Sequence, residues 1–302
     1  MLVSSEKKVN SGAWFVLGAA LLWGTTGTAQ SFAPVGFDPV VIGFLRLLVG
    51  GIALMGLALS RHELGSLRNW ALRPTLLAAL FTAAYQVCFF AAVARTGVAV
   101  GTIVGIGSAP ILGGLLGFLF RGERPGRRWG GATLVAIIGC ALLVLSGSRG
   151  DVQVDFLGLL LAVGAGAAYA AYTLMIKGLL EKHTPNAVMA VVVCIGALIL
   201  LPTLWGRELA WLAHPRSIAV VLHLGLASMA LSYWLFARGL QTVQVATAVT
   251  LSLAEPMTAA LLGVVVVGER LPLSAWSGLA LILSGLLILA LPARRIRLEP
   301  AG

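Results

Sequence analysis

Residues 98–124 read VAVGTIVGIGSAPILGGLLGFLFRGER, and residues 244–270 read QVATAVTLSLAEPMTAALLGVVVVGER. Each stretch is an apolar run of helix length that contains one proline and ends in the tripeptide Gly-Glu-Arg. The two prolines, Pro110 and Pro256, are 146 residues apart, as are the two tripeptides. The same offset relates Pro39 to Pro185, Phe90 to Phe236, and Thr96 to Thr242. Several matches at one spacing indicate that the chain contains two copies of one unit.

The composition places both copies in a membrane. Hydrophobic residues make up 59% of the 302 residues, charged residues 11%, and the mean hydropathy is +0.98. A soluble domain carries about 25% charged residues, and so few charges would leave large apolar patches facing water. The net charge of +10 is spread between the apolar runs rather than gathered on one surface. It therefore predicts helix orientation rather than nucleic-acid binding.

Ten apolar segments are long enough to cross the hydrocarbon core, about 30 Å, as helices. They are residues 12–33, 38–60, 72–94, 98–120, 129–147, 156–177, 187–204, 217–237, 244–267 and 273–292. We predict an all-α membrane protein with one repeat over residues 1–147, a linker over 148–154, and a second repeat with a basic tail over 155–302. Because each repeat has five spans, an odd number, the second copy must enter the membrane from the opposite side. Inverted repeats of this kind are typical of secondary transporters.

The distribution of positive charge predicts the orientation. Most of the 21 lysines and arginines fall in segments that are cytoplasmic if both termini are cytoplasmic, as the positive-inside rule requires. Lys7 and Lys8 before an apolar run also fit a secretory signal peptide. The run continues through Trp23 to Phe32 without a small-x-small cleavage site, which favours a retained first helix.

Motifs for catalysis or metal binding are missing from the sequence. Cys88, Cys140 and Cys194 lie inside apolar runs without CxxC spacing, so a disulfide framework or zinc site is not expected. The chain has no GxxxxGK[ST], HExxH or GxSxG motif, and we expect neither an enzyme nor a cofactor. A membrane-embedded enzyme is the alternative from another class, and it would need a cluster of reactive side chains.

Two ionisable residues, Arg46 and Glu255, lie deep in apolar segments. Placing either against lipid costs at least about 2.5–3.5 kcal/mol, so both should face the protein interior. One alternative is structural: they neutralise each other, or they bond to backbone groups freed at the prolines. The other alternative is that they act on a solute. In the second case Arg46 attracts a substrate carboxylate and Glu255 binds substrate or carries a proton.

The prolines and glycines of the fourth and ninth segments are candidate gating residues. A proline removes a helix hydrogen bond and kinks or breaks the helix, and paired interruptions in two halves point to a transport site. We predict gating roles for Gly105, Pro110 and Pro256. Structural kinks and close helix packing are the simpler alternatives.

Aromatic and polar side chains gather on segments other than the fifth and tenth, which we predict to be lipid-facing scaffold. A small-molecule site has mostly apolar walls with a few convergent polar groups. Besides Arg46 and Glu255, the predicted substrate-binding residues are Trp23, Tyr85, Gln86, Phe89, Tyr169, Tyr172, Ser232, Tyr233 and Thr250.

These features together resemble the EamA-type exporters of the drug/metabolite transporter superfamily over roughly residues 12–292. The resemblance rests on Trp23-Gly24, Arg46, the two mid-helix prolines and the Gly-Glu-Arg tripeptides. It implies a cavity walled by helices one to four and six to nine, and export of amino acids, including aromatic ones, or related metabolites from a bacterial cytoplasm. The halves also differ, since Val192 stands at the counterpart of Arg46 and Ala109 at that of Glu255.

We therefore expect a secondary carrier that works by alternating access in the cell inner membrane. Its expected partners are a small-molecule substrate and the lipid bilayer, with no nucleic acid, and a monomer is the working expectation. Carriers of drugs, nucleotide sugars or quaternary amines are the alternatives within transport, and a non-transporting scaffold or sensor is another. Proton antiport and facilitated diffusion both remain open.

Overall fold

The computed structural model describes residues 2–147 and 155–291, and all regular structure in these two ranges is helical. We number the helices α1 to α10 in chain order. They are α1 Leu2–Ser31, α2 Pro39–Ser60, α3 Leu72–Thr96, α4 Val100–Arg121, α5 Arg127–Gly147, α6 Phe156–Leu179, α7 Pro185–Leu204, α8 Pro215–Leu240, α9 Val245–Val267 and α10 Leu273–Ala290. The predicted linker 148–154 and most of the basic tail lie outside the described residues.

Nine helices in the described ranges, α2 to α10, are long and apolar enough to cross a membrane. The first predicted span also forms a helix, α1, but it is not among these nine. Its C-terminal part reads GTTGTAQS over residues 24–31, and these hydroxyl and amide groups lower its hydropathy. A tenth span therefore remains a proposal.

Helices α3 and α4 form a tight hairpin although their backbone is helical throughout. A Cβ added at Gly101 would lie 3.1 Å from the backbone nitrogen of Val93. Residues eight apart in a straight helix are about 12 Å apart, so the chain reverses between these two positions. The missing side chain at Gly101 permits this approach.

Helix beginnings repeat between the halves. Asp38 caps α2 by accepting a hydrogen bond from the Val40 backbone N–H at 2.8 Å, and Pro39 follows it as the first helical residue. Thr184, 146 residues later, caps α7 in front of Pro185. Both pairs combine a favoured N-cap side chain with a proline whose missing N–H would have no helix partner.

Helix ends repeat as well, at the Gly-Glu-Arg tripeptides. Gly122 and Gly268 adopt left-handed φ angles of 64° and 84°, which glycine adopts without steric cost. The backbone N–H of Glu123 then donates to the Gly117 carbonyl oxygen at 3.1 Å, and the N–H of Glu269 donates to that of Gly263 at 3.0 Å. Each of these bonds spans six residues and satisfies a carbonyl group that a helix end otherwise leaves open.

Contacts between the halves are reciprocal at the same offset. A Cβ at Gly50 on α2 would lie 2.9 Å from the Gly225 carbonyl oxygen on α8. At the counterpart positions, a Cβ at Gly196 on α7 would lie 3.8 Å from the Ala79 carbonyl oxygen on α3. Exchanging the two halves therefore maps one helix contact onto the other.

Helices α5 and α10 form a pair at one side of the bundle. Each contributes a glycine in close contact with the other helix: a Cβ at Gly139 or at Gly285 would lie 2.6 Å from a carbonyl oxygen of the partner helix, that of Gly278 or Ala132. Their other faces expose large apolar side chains such as Leu134. This arrangement agrees with the predicted scaffold role.

The two proline-containing helices differ in the structure. α9 is interrupted at residues 252–253, between the α-helical segments Val245–Leu251 and Ala254–Leu262, and it ends in a π-helical turn. The interruption lies where the Pro256 ring meets the preceding turn. α4 instead remains α-helical through Pro110, so a matching break in both halves, one outcome expected from sequence, is not found.

Candidate functional site

A central cavity of about 220 Å³ lies between helices α1, α2, α3, α4, α6, α8 and α9. Its lining residues are Trp23, Gly24, Thr26, Gly27, Gln30, Arg46, Tyr85, Gln86, Phe89, Gly105, Ile106, Ala109, Tyr169, Tyr172, Tyr233, Val249, Ser252, Glu255 and Ala259. All predicted substrate-binding residues except Ser232 and Thr250 are in this set, as is Gly105. Their role in substrate binding stays a prediction.

One predicted wall, α7, contributes no lining residue in the described part of the chain. The Arg46 counterpart on this helix, Val192, is fully buried in the apolar core. Ala109, the counterpart of Glu255, does line the cavity. The charged groups of the cavity therefore have no charged equivalents in the other repeat.

Aromatic rings form much of the cavity wall. The chain has four tyrosines, and all four, Tyr85, Tyr169, Tyr172 and Tyr233, line this cavity. Tyr169 lies 5.0 Å from Tyr172 and 5.7 Å from Tyr85 between ring centroids, and Trp23 lies 5.3 Å from Tyr233. The tilted and edge-to-face arrangements are the favourable ones for aromatic pairs. The Tyr169 hydroxyl also hydrogen-bonds the Ser252 hydroxyl, which fixes one ring across α6 and α9.

Arg46 and Glu255 line the same cavity but do not form an ion pair with each other, on the residues that the structure describes. The Nε atom of Arg46 is buried and has no hydrogen-bond partner in this part of the chain, and the same holds for the indole nitrogen of Trp23. A buried donor without a partner costs about 1–3 kcal/mol. Arg46 and Glu255 are therefore the charged residues that line the cavity, while these two nitrogens have almost no accessible surface in this conformation.

The prolines lie outside the lining but act on residues within it. A proline at position i leaves the carbonyl of residue i−4 without its usual helix donor. For Pro110 that residue is Ile106, and for Pro256 it is Ser252, and both line the cavity. The Ser252 carbonyl accepts instead from the Glu255 backbone N–H at 2.9 Å. The two prolines therefore act on equivalent points of the cavity wall, although only α9 is interrupted there.

Two glycines set the spacing of the helices around the cavity. A Cβ at Gly24 on α1 would lie 2.7 Å from the Glu255 carbonyl oxygen on α9. A Cβ at Gly166 on α6 would lie 2.7 Å from the Gly105 carbonyl oxygen on α4. Both contacts are possible only without a side chain, so glycine at these positions brings the cavity walls together.

Ser232 and Thr250 have structural hydrogen bonds away from the cavity. The buried Ser232 hydroxyl donates to the Ser228 carbonyl oxygen at 2.6 Å within α8. The buried Thr250 hydroxyl accepts from the Trp129 indole N–H at 3.1 Å and contacts the Thr133 hydroxyl at 3.0 Å, both on α5. Thr250 thereby connects the scaffold helix α5 to α9.

Several lining residues carry no signal that sequence alone could reveal. They are small or aliphatic residues in runs of similar ones: Gly27, Ile106, Val249 and Ala259. The polar residues Thr26 and Gln30 of α1 also line the cavity. Another face of α1 borders a separate groove of about 660 Å³, where the Thr25 hydroxyl lies 2.9 Å from His223 Nε2.

Comparison with known proteins agrees with this architecture. The model of the EamA-like transporter family matches residues 10–145 and again residues 156–291, two ranges that begin and end 146 residues apart. The uncharacterized transporter YwfM of Bacillus subtilis is 45% identical over 98% of this chain and 99% of its own length. The uncharacterized inner membrane transporter YicL of Salmonella typhimurium is 27% identical over 93% of this chain and 95% of its own.

Two further matches extend the comparison. An uncharacterized transporter of Archaeoglobus fulgidus is 30% identical over 91% of this chain and 94% of its own length. A protein of known crystal structure shares the fold, with a TM-score of 0.78 at 21% identity over 92% of this chain and 96% of the other. The chain belongs to the EamA-like transporter family of the drug/metabolite transporter superfamily, and it is a multi-pass membrane transporter.

Proposed function

We propose that this transporter exports amino acids or related small metabolites from the cytoplasm by alternating access. The observation that carries the proposal is the separation of charge in the cavity. Arg46 and Glu255 both line it, and no ion pair within 4 Å joins them in the described residues, so each can bind an opposite charge. An α-amino acid carries a carboxylate and an ammonium group, one for each residue.

The neutral groups of the cavity support the same substrate class. The Arg46 Nε and Trp23 Nε1 have no partner in the described residues, and both could donate to a carboxylate once a shift of the walls exposes them. Hydrogen bonds to a charged group contribute about 1.5–3 kcal/mol. The four tyrosines and Phe89 offer ring faces for an apolar or aromatic side chain. The cavity volume of about 220 Å³ suits a small solute rather than a peptide or lipid.

The reciprocal contacts between the halves support an inverted repeat of two five-helix units. In this proposal α1 is the tenth span, both termini are cytoplasmic, and residues 1–147 and 155–302 form the two units. α3 and α4 pack on α6, and the equivalent helices α8 and α9 pack with α1. The cavity lies between these two three-helix bundles, so tilting one against the other would expose it on alternate sides.

The test is counterflow into proteoliposomes across the set of labelled amino acids, with and without a proton gradient. Arg46→Gln should lower uptake of the preferred amino acid by about tenfold or more, because about 1.4 kcal/mol corresponds to tenfold. Arg46→Lys keeps the charge but loses the fork of donors, and should be intermediate. Arg68→Gln changes an exposed cation in the α2–α3 loop and serves as the control. Wild-type protein that moves no amino acid would eliminate this substrate class.

A second candidate substrate is a quaternary amine. The tyrosine rings and Trp23 around Glu255 also resemble an aromatic cage, which binds such cations through ring faces. Arg46 would repel this substrate, so Arg46→Gln should then raise transport rather than lower it. The direction of this one effect separates the two substrate classes.

Energy coupling is tested at Glu255, the acidic residue of the cavity lining. If Glu255 carries a proton in exchange for substrate, Glu255→Gln should abolish the response to a proton gradient but preserve substrate exchange. Loss of both activities would assign Glu255 to substrate binding instead.

A further inference from the structure

A network of charged groups lies between the cavity and the end of the bundle that we propose to be cytoplasmic. Lys177 is five residues beyond Tyr172 on α6, about 7.5 Å further along the axis. Its ammonium group donates to the carbonyl oxygens of Leu240, at 3.2 Å, and of Val243. These carbonyls belong to the end of α8 and the α8–α9 turn. Lys177 thus joins α6 to the opposite three-helix bundle.

Glu123 joins the same two bundles from the end of α4. Its carboxylate lies 3.7 Å from Lys177 and accepts a hydrogen bond from the Val245 backbone N–H at 2.8 Å, the first residue of α9. Arg121 lies 3.5 Å from Glu123 and pairs with Glu181 at 2.6 Å. The side chains of Glu123 and Lys177 are only 9% and 13% exposed, so water screens the interaction between these two far less than that of a surface pair.

The opposite end of the bundle has the carboxylate but lacks its cations. Glu269 is the counterpart of Glu123, and both fold back over a glycine six residues earlier, Gly263 and Gly117. The counterpart of Lys177 is Ser31, and that of Arg121 is Val267. Glu269 and Ser31 are exposed, and no ion pair to Glu269 is found in the described residues.

The cavity extends further towards the end of the bundle that carries Glu269 than towards the end that carries Lys177. Its lining extends to Gln30, next to the last residue of α1, and to Gly105 near the start of α4. Both are at the end that carries Glu269. Towards the other end, the rings of Tyr172 and Tyr233 are buried against each other at 6.5 Å, and the charged network lies beyond them.

We propose that Lys177, Glu123 and Arg121 form a latch that closes the cytoplasmic gate, and that its absence at the other end biases the substrate-free transporter towards the outward-open state. The latch joins α4 and α6 to the α8–α9 turn, which must separate before the cavity can open to the cytoplasm. Removing it should populate the inward-open state. Supplying a cation opposite Glu269 should favour closure of the outer gate. This inference rests on the alternating access proposed above, but not on the identity of the substrate.

The test measures gate distances directly, by pulsed electron spin resonance in lipid nanodiscs without substrate. Spin labels replace Gly126 and Gln241 at the inner end, and Ala94 and Leu273 at the outer end, after the three native cysteines are changed to alanine. All four label sites are exposed, and a side chain at Gly126 meets no atom within 4 Å. Lys177→Met removes the cation, Lys182→Met is the exposed control, and Ser31→Lys introduces a cation at the other end.

Lys177→Met is expected to add a longer inner distance and to shift the ratio of the two states by about tenfold, which corresponds to about 1.4 kcal/mol. Lys182→Met should match the wild type. A Lys177→Met protein with unchanged inner distances would overturn the latch, whether or not its thermal stability falls. Ser31→Lys should shorten the outer distance, and an unchanged outer distance would overturn the role assigned to the missing cation.

Transport does not enter this readout. A protein that fails to move amino acids but shows the shift in Lys177→Met keeps the latch and loses the proposed substrate class. A protein that transports amino acids without the shift keeps its function and loses the latch. If the wild type and every variant showed the same single set of distances, both the latch and alternating access would be overturned.

Discussion

Replacing Gly24 with alanine tests how closely α1 and α9 must approach beside Glu255. The added Cβ would lie 2.7 Å from the Glu255 carbonyl oxygen and 2.5 Å from the Thr258 Cβ, whereas ordinary contact begins at 3.4 Å. The carbonyl alone must therefore move by about 0.7 Å, and the Thr258 Cβ by more. Backbone and a β-branched side chain yield poorly, so the two helices must separate or rotate.

The change in stability caused by Gly24→Ala is the balance of two opposing effects. Overpacking of this kind costs about 1–3 kcal/mol, while removing a glycine from a helix interior contributes about 0.5–1 kcal/mol in favour of the variant. The two terms combine to a net destabilisation of about 0–2.5 kcal/mol for Gly24→Ala, and we expect a value near the middle of this range because two atoms clash with the added Cβ. Gly27 lies one turn later on α1, lines the same cavity, and has no atom within 4 Å of an added Cβ. Gly27→Ala should therefore gain only the helix contribution and become more stable.

Thermal unfolding of the two variants in detergent measures the difference, and the transport assay reports its consequence for the site. A displacement of about 1 Å costs roughly 100-fold in well-organised sites, so Gly24→Ala should lower the initial transport rate by at least about tenfold. Equal melting temperatures for the two variants would refute the close approach of α1 and α9. A destabilised Gly24→Ala protein with the wild-type rate would refute the link between this contact and the position of Glu255.

Three further variants test single contacts. Thr250→Val should destabilise the protein by about 1–3 kcal/mol, because the Trp129 indole N–H loses its buried acceptor, while substrate preference measured by competition stays unchanged. Tyr169→Phe removes the hydroxyl that bonds Ser252, and we expect a loss of about 1 kcal/mol in thermal unfolding. The pKa of Asp155 is held below its usual range by the Gly158 backbone N–H that it caps and by Arg95. The stabilisation that the Asp155 carboxylate provides is therefore present at neutral pH and lost as pH falls through that lowered pKa. Asp155→Ala should have a lower melting temperature than the wild type at pH 7, and its melting temperature should fall less than that of the wild type as the pH is lowered.

Regularities that recur along the chain were predictable from sequence. The offset of 146 residues relates Pro110 to Pro256 and the two Gly-Glu-Arg tripeptides, and the two tripeptides end α4 and α9 with equivalent hydrogen bonds. The aromatic residues also indicated the cavity, because the four tyrosines of this chain fall on only three apolar helices, α3, α6 and α8. Arg46 and Glu255 were identifiable since charge in an apolar run must have an interior position.

Other properties of the site depend on helix rotation, which no local pattern fixes. Thr250 lies on a polar-looking face of α9, but that face turns towards α5, where Trp129 and Thr133 bind it. Pro110 was expected to disturb α4 as Pro256 disturbs α9, yet α4 remains helical. The charged network at Lys177 involves backbone carbonyls of α8 and its turn, and such partners are invisible in a sequence.

The position of all four tyrosines in one cavity offers a spectroscopic opportunity. Biosynthetic replacement of tyrosine by 3-fluorotyrosine would introduce fluorine nuclei only around this cavity, with none elsewhere in the chain as background. Each resonance would then report on one wall, from α3, α6 or α8. Titration of candidate solutes could therefore be followed at the binding chamber itself, before any flux assay is established.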